Sequence, residues 1–454
     1  MDITRKCLIP LLYRWNSSKK LNYYYYLKKN QWNSLEKNIQ IQKHLLFENL
    51  KFSFNSIPYY KNLNIDFNSF KEDTIFEDIK NIPFLTKKEL REEYNNLYTI
   101  NPKLKRIYPN TSGGSTGEPT KFMQDNFYRD WSVATKLLYN EWAGRKTGEP
   151  LIQLWGSERD ILGQNESTSY KVANWVRNLK LLNSFRMTRE DMEKYIKEIN
   201  LNKPKMILAY VQSIYELAKF IQDNKLQVYS PSSIMTSAGI LYPKYEELIK
   251  DVFQCPVFNR YGTREVGDMA CDCDKHEGLH LNIFNHYIEI IDKEGKNCEP
   301  GKMGEVVVTT LKNYTMPLIR FKIGDMAVLS NKQCSCSRGL PMIENLIGRL
   351  TDVFRTREGR IIPGEYFIHF IGVVLNKGNI KKFQVIQEKE DHIMVKLVLD
   401  NNESFVKNKK DFDEITEKIK LVMGKDVKVE YKLVDEILPT KSGKYRYTIS
   451  KIYH

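Results

Sequence analysis

Apolar residues recur along this chain with two periods, and the switches between them divide it. Residues 1–60 follow helical spacing, are rich in tyrosine and end at Ser56-Ile57-Pro58-Tyr59-Tyr60. A polar helix is predicted over 85–98, after Pro83, and further helices over 125–143, 188–200, 212–223 and 243–253. Between them lie short apolar runs that read as strands: MILAY at 206–210, then 233–237 and 256–259. Strand alternating with helix predicts a layered α/β core. From 286 to 330 the pattern turns β-like, with HYIEIID, GEVVVTTL and AVLS. Beyond Gly348 it changes again: FQVIQEKEDHIMVKLVLD reads as a hairpin, 411–423 as a helix and VKVEYKLV as a strand. The expectation is a large layered α/β N-terminal domain over 1–347, with 1–60 as its helical leader region. A small α+β domain over 348–454 follows, and the boundary lies near Gly348–Asp352.

Composition narrows the class. At 454 residues and 41% hydrophobic, the chain has material for a sizeable core, and no long Ser/Gly/Pro stretch signals disorder. No apolar run approaches the ~20 residues of a membrane span. The opening MDITRKCLIPLLYRWNSSKK is broken by Pro10 and Arg14, so a surface helix is expected there rather than a signal peptide or stable membrane insertion. The net charge of +14 suits an acidic partner such as a nucleotide or coenzyme A, but much of it is diffuse lysine on a solvated surface. No basic run is interleaved with aromatics as in a nucleic-acid module, so no nucleic-acid partner is expected. Seven cysteines, an odd count, include two close pairs, Cys271/Cys273 and Cys334/Cys336. That usage points to a reducing, cytoplasmic compartment and metal binding rather than disulfides.

The most distinctive motif is Thr111-Ser112-Gly113-Gly114-Ser115-Thr116-Gly117-Glu118-Pro119-Thr120-Lys121. Glycines let backbone N–H groups approach phosphate oxygens closely, and hydroxyls add donors. It lacks the Gly-Lys-Ser/Thr ending of a Walker A loop. Four further motifs follow in order: Tyr261-Gly262-Thr263-Arg264-Glu265, Arg320-Phe321-Lys322-Ile323-Gly324-Asp325, Gly348-Arg349-Leu350-Thr351-Asp352 and Pro439-Thr440-Lys441-Ser442-Gly443-Lys444. Together, over about 105–450, they resemble the adenylate-forming superfamily of acyl-CoA synthetases, adenylation domains and luciferase. Within it the chain looks most like the phenylacetate–CoA ligase group, closest to the branch associated with capsular polysaccharide clusters. The pointers are Ser56-Ile57-Pro58-Tyr59-Tyr60, Val266-Gly267 after the second motif, Gly278-Leu279-His280, Met316-Pro317-Leu318-Ile319-Arg320-Phe321 and Cys334-Ser335-Cys336.

The resemblance implies an N-terminal domain of adenylate-forming type and assigns roles. Ser112, Gly114, Ser115, Thr116 and Gly117 would hold the ATP phosphates, with Gly113 standing where a hydroxyl is more usual. Tyr261 would stack on adenine, beside Gly262 and Thr263, and Ala238-Gly239 would form the pocket wall. Glu265 would hold Mg2+. Arg264 replaces the usual Ser/Thr and sets a cation near the α-phosphate or substrate. Asp325 would bind ribose hydroxyls and Arg349 ribose or phosphate next to the hinge, where Thr351 stands in place of Asp or Lys. Lys444 would be the catalytic lysine, stabilising charge that gathers in the adenylation transition state.

The same resemblance implies a structural zinc held by Cys273, His280, Cys334 and Cys336, a thiolate and imidazole set that suits the ion. His276 is the main rival ligand, Cys271 a weaker one, and reduced thiols binding nothing remain an alternative. The implied function is ATP-dependent activation of a carboxylic acid as its acyl-adenylate, then transfer to CoA. A second reading keeps adenylation but hands the product to a sugar amine or carrier thiol, or transfers AMP itself. A third, a zinc-containing basic binding protein, leaves the five ordered motifs unexplained.

Overall fold

The computed structural model describes residues 9, 18–99, 106–112, 120–155, 168–184, 187–349, 353–359, 361–364, 367, 380–399, 409–438 and 446–452. The chain forms two compact units. One is drawn from Met1–Ile323 and Ala327–Leu346, the other chiefly from Ile347–Thr440 and Lys444–His454.

In the first unit, α1 (Lys20–Asn30) and α2 (Leu35–Ser56) precede α3 (Lys87–Glu92). The strands β1 (Tyr108–Thr111) and β2 (Lys121–Gln124) form an antiparallel hairpin, and α4 (Asn126–Trp142) follows. Then come β3 (Leu151–Trp155), α5 (Thr168–Val176), β4 (Leu179–Asn183), α6 (Arg189–Asn202), β5 (Met206–Tyr210), α7 (Val211–Asp223), β6 (Ser233–Ser237), α8 (Pro243–Phe253) and β7 (Val257–Thr263). The remaining strands are β8 (Gly267–Cys271), β9 (Leu279–Leu281), β10 (His286–Ile291), β11 (Met303–Thr310), β12 (Phe321–Leu329) and β13 (Met342–Arg349). Strands β3 to β13 make one eleven-stranded sheet in the order β10-β11-β12-β13-β9-β8-β7-β6-β5-β3-β4. From β4 to β7 neighbours are parallel, whereas β7–β8, β8–β9 and β9–β13 pair antiparallel.

Burial explains the layering. All residues of β5 and β6 are buried, as expected of parallel strands covered on both faces. Alternate residues serve opposite layers. Ile152, Ile207 and Ile234 pack with Ile199 of α6, Leu217 of α7 and Phe253 of α8. Leu151, Met206 and Met235 belong to the cluster that holds Leu50 of α2 and Trp131, Leu138 and Trp142 of α4. Asp125 starts α4, accepting from Tyr128 N at 2.7 Å, and its second oxygen accepts from Thr315 Oγ1 at 2.8 Å.

The second unit contains the pair β14 (Val353–Arg355) and β15 (Ile361–Pro363) and the strands β16 (Ile380–Lys389), β17 (His392–Leu399), β18 (Lys428–Leu433) and β19 (Thr448–Ser450). The last four form a sheet in the order β18-β17-β16-β19, with α9 (Lys409–Met423) between β17 and β18 in sequence. The expected hairpin is β16–β17.

The layered α/β expectation is borne out. Two local readings change. The polar helix of 85–98 shortens to α3, closed at its start by a reciprocal Thr86–Glu89 capping box. β7 continues past 259 through Tyr261-Gly262-Thr263. Asp325 lies within β12. No helix among the described residues is long and apolar enough to cross a membrane.

Candidate active site and metal centre

The Gly-rich segment hangs from a closed neck. β1 and β2 pair up to Thr111 and Lys121, and just beyond them Ser112 N donates to Thr120 O at 2.9 Å. Ser112 Oγ accepts from Thr120 N, also at 2.9 Å. The Ser112 hydroxyl, expected as a phosphate donor, therefore already closes the neck and retains its O–H to give. Gly113, Gly114, Ser115, Thr116 and Gly117 lie outside the described residues. The hairpin is anchored below: Asn313 Nδ2 donates to Met123 O at 3.0 Å, and Met123 N donates to Met316 Sδ at 3.1 Å.

The second motif forms the end of β7 and its turn into β8. Tyr261 is buried, Arg264 and Glu265 sit on the turn, and Glu265 is only 7% exposed. A register shift falls between Tyr261 and Gly262. A Cβ at residue 262 would stand 2.4 Å from Gly267 O, so only glycine lets the two arms close. Thr263 Oγ1 accepts from Val266 N at 3.4 Å, which pinches the turn. Gln124 of β2 then donates to Arg264 O at 3.3 Å. This bond sets the arm that carries the Gly-rich loop against the turn that carries Glu265, across 140 residues of sequence.

Ser237 ends β6, and Ala238 adopts φ +62°, a left-handed turn beside Gly239 at the carboxyl edge of the parallel strands. That edge is where open α/β sheets bind ligands. Trp155 and Tyr210, at the ends of β3 and β5, lie with ring centroids 4.0 Å apart. Arg260 of β7 stands 5.8 Å over Trp155 and pairs with the buried Asp268 of β8 at 3.3 Å. Asp325 is buried on β12. Arg349 ends β13, its side chain outside the described residues, as are Leu350, Thr351, Asp352 and Lys444.

Arg320, within the motif that leads to Asp325, is committed elsewhere. Its guanidinium binds both Glu289 oxygens at 3.2 and 3.0 Å, and the carbonyls of Lys80 at 2.9 Å and Ile82 at 2.8 Å. It is a tie beneath the site.

The four expected zinc ligands converge. The ligand atoms of Cys273, His280, Cys334 and Cys336 all lie within 4.8 Å of one another. β9 pairs with β13, Met342 opposite His280, which brings the 334–336 loop to the histidine. Cys273 Sγ and Cys334 Sγ are 3.6 Å apart, and Cys336 Sγ lies 3.3 Å from His280 Nε2. A tetrahedron with Zn–S of about 2.3 Å and Zn–N of about 2.0 Å has edges of about 3.8 Å and 3.5 Å, so the donors fit the ion in type and spacing. His276 is held away: its Nδ1 meets Asp272 Oδ2 at 2.5 Å, and its ring packs 4.8 Å from Phe258. Cys271 is buried beyond the cluster, and burial raises its thiol well above the usual range. Burial pushes His280 down to about 4, with the Arg338 charge adding to the shift, so the ring is neutral and ready to ligate. Burial alone would raise Cys336, but the N–H and guanidinium of Arg338 hold it below its ordinary value. Arg338 lies between Trp32 and Trp142, 4.8 Å from each ring.

Gln124 escaped the sequence reading, because it ends a strand that the Gly-rich motif hid. Arg338 was visible in sequence two residues after Cys336, but its place between Trp32 and Trp142 was not.

The chain is similar in sequence and fold to several known proteins. The family described as CapK C-terminal domain matches residues 354–451. Protein CapK of Staphylococcus aureus is 25% identical over 83% of this chain and 81% of its own length. A phenylacetate–coenzyme A ligase of Thermus thermophilus is 24% identical over 72% of this chain and 74% of its own length. Among solved structures, 2-hydroxyisobutyryl-CoA ligase in the postadenylation state in complex with 2-HIB-AMP shares the fold. It has a TM-score of 0.68 at 16% identity and covers 91% of this chain and 89% of that one.

Proposed function

We infer that this chain, a homologue of CapK and of the phenylacetate–coenzyme A ligases within the adenylate-forming superfamily, is an ATP-dependent, AMP-forming ligase that activates a carboxylic acid. A carboxylate oxygen of the acid attacks the α-phosphorus of ATP, and the bond to pyrophosphate breaks. The acyl-adenylate then meets the thiol of CoA, which takes the acyl group and releases AMP. The single observation that carries the reading is the Gln124–Arg264 bond, because it brings the loop suited to phosphates against the turn suited to a metal and a carboxylate.

Within that reading Glu265 is the Mg2+ ligand, a hard oxygen donor on a buried turn. The ion, when bound, supplies charge neutralisation on the phosphates. Arg264 adds a second positive group beside it. Tyr261 offers its ring to adenine, next to Gly262 and Thr263, and Ala238-Gly239 walls the same edge. Ser112, Gly114, Ser115, Thr116 and Gly117 cradle the β- and γ-phosphates, Asp325 accepts from ribose, and Arg349 and Lys444 come from the hinge and the small C-terminal unit. That unit moves between the two half-reactions, because one lysine cannot stabilise adenylation while the same face admits the thiol. Zinc, held by Cys273, His280, Cys334 and Cys336, is structural and does no chemistry. The similarity to CapK supports a second reading in which the acceptor is an amine or carrier thiol in polysaccharide synthesis. A cytoplasmic location follows from either.

The test is ATP–pyrophosphate exchange with a panel of small acids, aromatic ones first, each with and without CoA. Acid-dependent exchange, and a thioester formed only with CoA, are expected. A chain that binds Mg2+·ATP yet exchanges label with no acid would overturn the reading.

A further inference from the structure

The turn that carries Glu265 is held from three sides. Gln124 grips Arg264 O, and Thr263 Oγ1 takes Val266 N. The third grip comes from a residue that no motif marks. His286, the first residue of β10, has its Nε2 at 2.6 Å from Val266 O, and both residues are buried. A carbonyl only accepts, so Nε2 carries the proton and the ring is fixed in one tautomer.

His286 is itself fixed. Its N–H donates to Asn282 O at 3.0 Å, and its carbonyl accepts from Gln42 of α2 at 2.8 Å. The ring therefore links β10 and α2 to the peptide bond one residue past the metal-binding carboxylate. Behind it lies a cavity of about 10 Å³, room for about one water, lined by Tyr128, Asn285 and Lys312 among others. Nδ1 of His286 is buried with no hydrogen-bond partner among the described residues. The opposite wall is just as close: Gly267 has φ +83°, and a Cβ there would stand 2.7 Å from Tyr128 Oη. The turn has almost no room to shift on either side.

We propose that His286 is a positioning residue for Glu265, fixing the Val266 carbonyl and, through it, the orientation of the carboxylate toward Mg2+. The inference rests on the reading of Glu265 as the metal ligand. His286 touches no reacting atom. It acts by denying the turn alternative peptide orientations, so its loss misaims a carboxylate that is still present.

Binding of Mn2+·ATP to the full-length protein tests this without relying on turnover, with metal-free ATP measured alongside. His286→Leu keeps the apolar volume and removes the donor, so the Mn2+·ATP dissociation constant should rise about tenfold, the value of one lost buried hydrogen bond. Metal-free ATP binding should change less than about threefold on the same scale. His286→Gln, which keeps a donor, should restore most of the metal-dependent part. Should His286→Leu fail to fold, Gly267→Ala disturbs the same turn from the other wall and should weaken Mn2+·ATP selectively. Equal Mn2+·ATP binding by wild type and both His286 variants, or equal weakening of both ATP forms, overturns the proposal. A wild-type protein that binds no Mn2+·ATP overturns instead the functional reading beneath it.

Discussion

Replacing Arg320 by methionine should destabilise the larger unit by about 4 kcal/mol. Breaking a buried ion pair from one side costs about 3–5 kcal/mol, because the other charge is left without its partner. Arg320 and Glu289 qualify: their side chains are 4% and 1% exposed and joined by two bonds. The carbonyls of Lys80 and Ile82 also lose their donor, at about 1 kcal/mol each. Glu289 offsets part of this by taking a proton, since burial already holds its carboxyl above the usual range against the pull of Arg320. The sign follows. A raised folded-state pKa stabilises below the unfolded value and is lost as pH rises, so the variant should be least impaired in mild acid and worst above neutrality. Urea unfolding followed by tryptophan fluorescence reads this unit alone, because all 6 tryptophans precede residue 176. Arg320→Met combined with Glu289→Met should cost less than half the single change. A single change below about 1 kcal/mol, or a double change equal to the sum of both singles, would refute the assignment of Arg320 as a buried tie.

Four further outcomes are expected. Lys444→Ala should abolish adenylate formation while ATP still binds, a loss of ~3 kcal/mol of transition-state stabilisation or about a hundredfold in rate; wild-type pyrophosphate exchange would remove Lys444 from the chemistry. Glu265→Gln should raise the Mg2+ needed for half-maximal exchange and leave the melting temperature unchanged, and an unaltered Mg2+ dependence would make Glu265 structural. Elemental analysis should find about one zinc per chain, and Cys334→Ser should lose metal and stability together; a metal-free protein of full stability ends that idea. Thr351→Pro should slow one half-reaction more than the other, and equal small effects on both would place the hinge elsewhere.

Patterning along the chain made the fold legible where the signal was long. β5 and β6 are wholly buried, so MILAY and the run at 233–237 read directly. β3 and β4 did not, because LIQLW and LKLLN are short and mix polar with apolar residues, and only pairing with neighbours makes them strands. Cysteine spacing pointed to a metal-binding cluster, and the resemblance favoured His280 over His276. Spacing alone did not separate the two; β9 pairing with β13 and Asp272 engaging His276 do so in space. Arg320 shows the converse: a motif position whose neighbours in space, Glu289 and two carbonyls, give it a job its neighbours in sequence do not suggest.

The shortest strand of the large sheet is also one of its most central. β9 has three residues, yet it stands between β8 and β13, antiparallel to both, and is all that joins β10–β13 to the rest of the sheet. On each side it contributes two residue pairs, Ala270–Leu281 and Cys271–His280 toward β8, Met342–His280 and Ile343–Leu279 toward β13. An eleven-strand sheet thus has a seam, and His280 sits in it on both sides. With zinc bound, the cysteine cluster would fasten that seam as a rivet fastens two overlapping plates, gripping the 273 segment and the 334 loop at once. Strain on the sheet, thermal or mechanical, should concentrate at this line, and removing the ion should let the two halves part first.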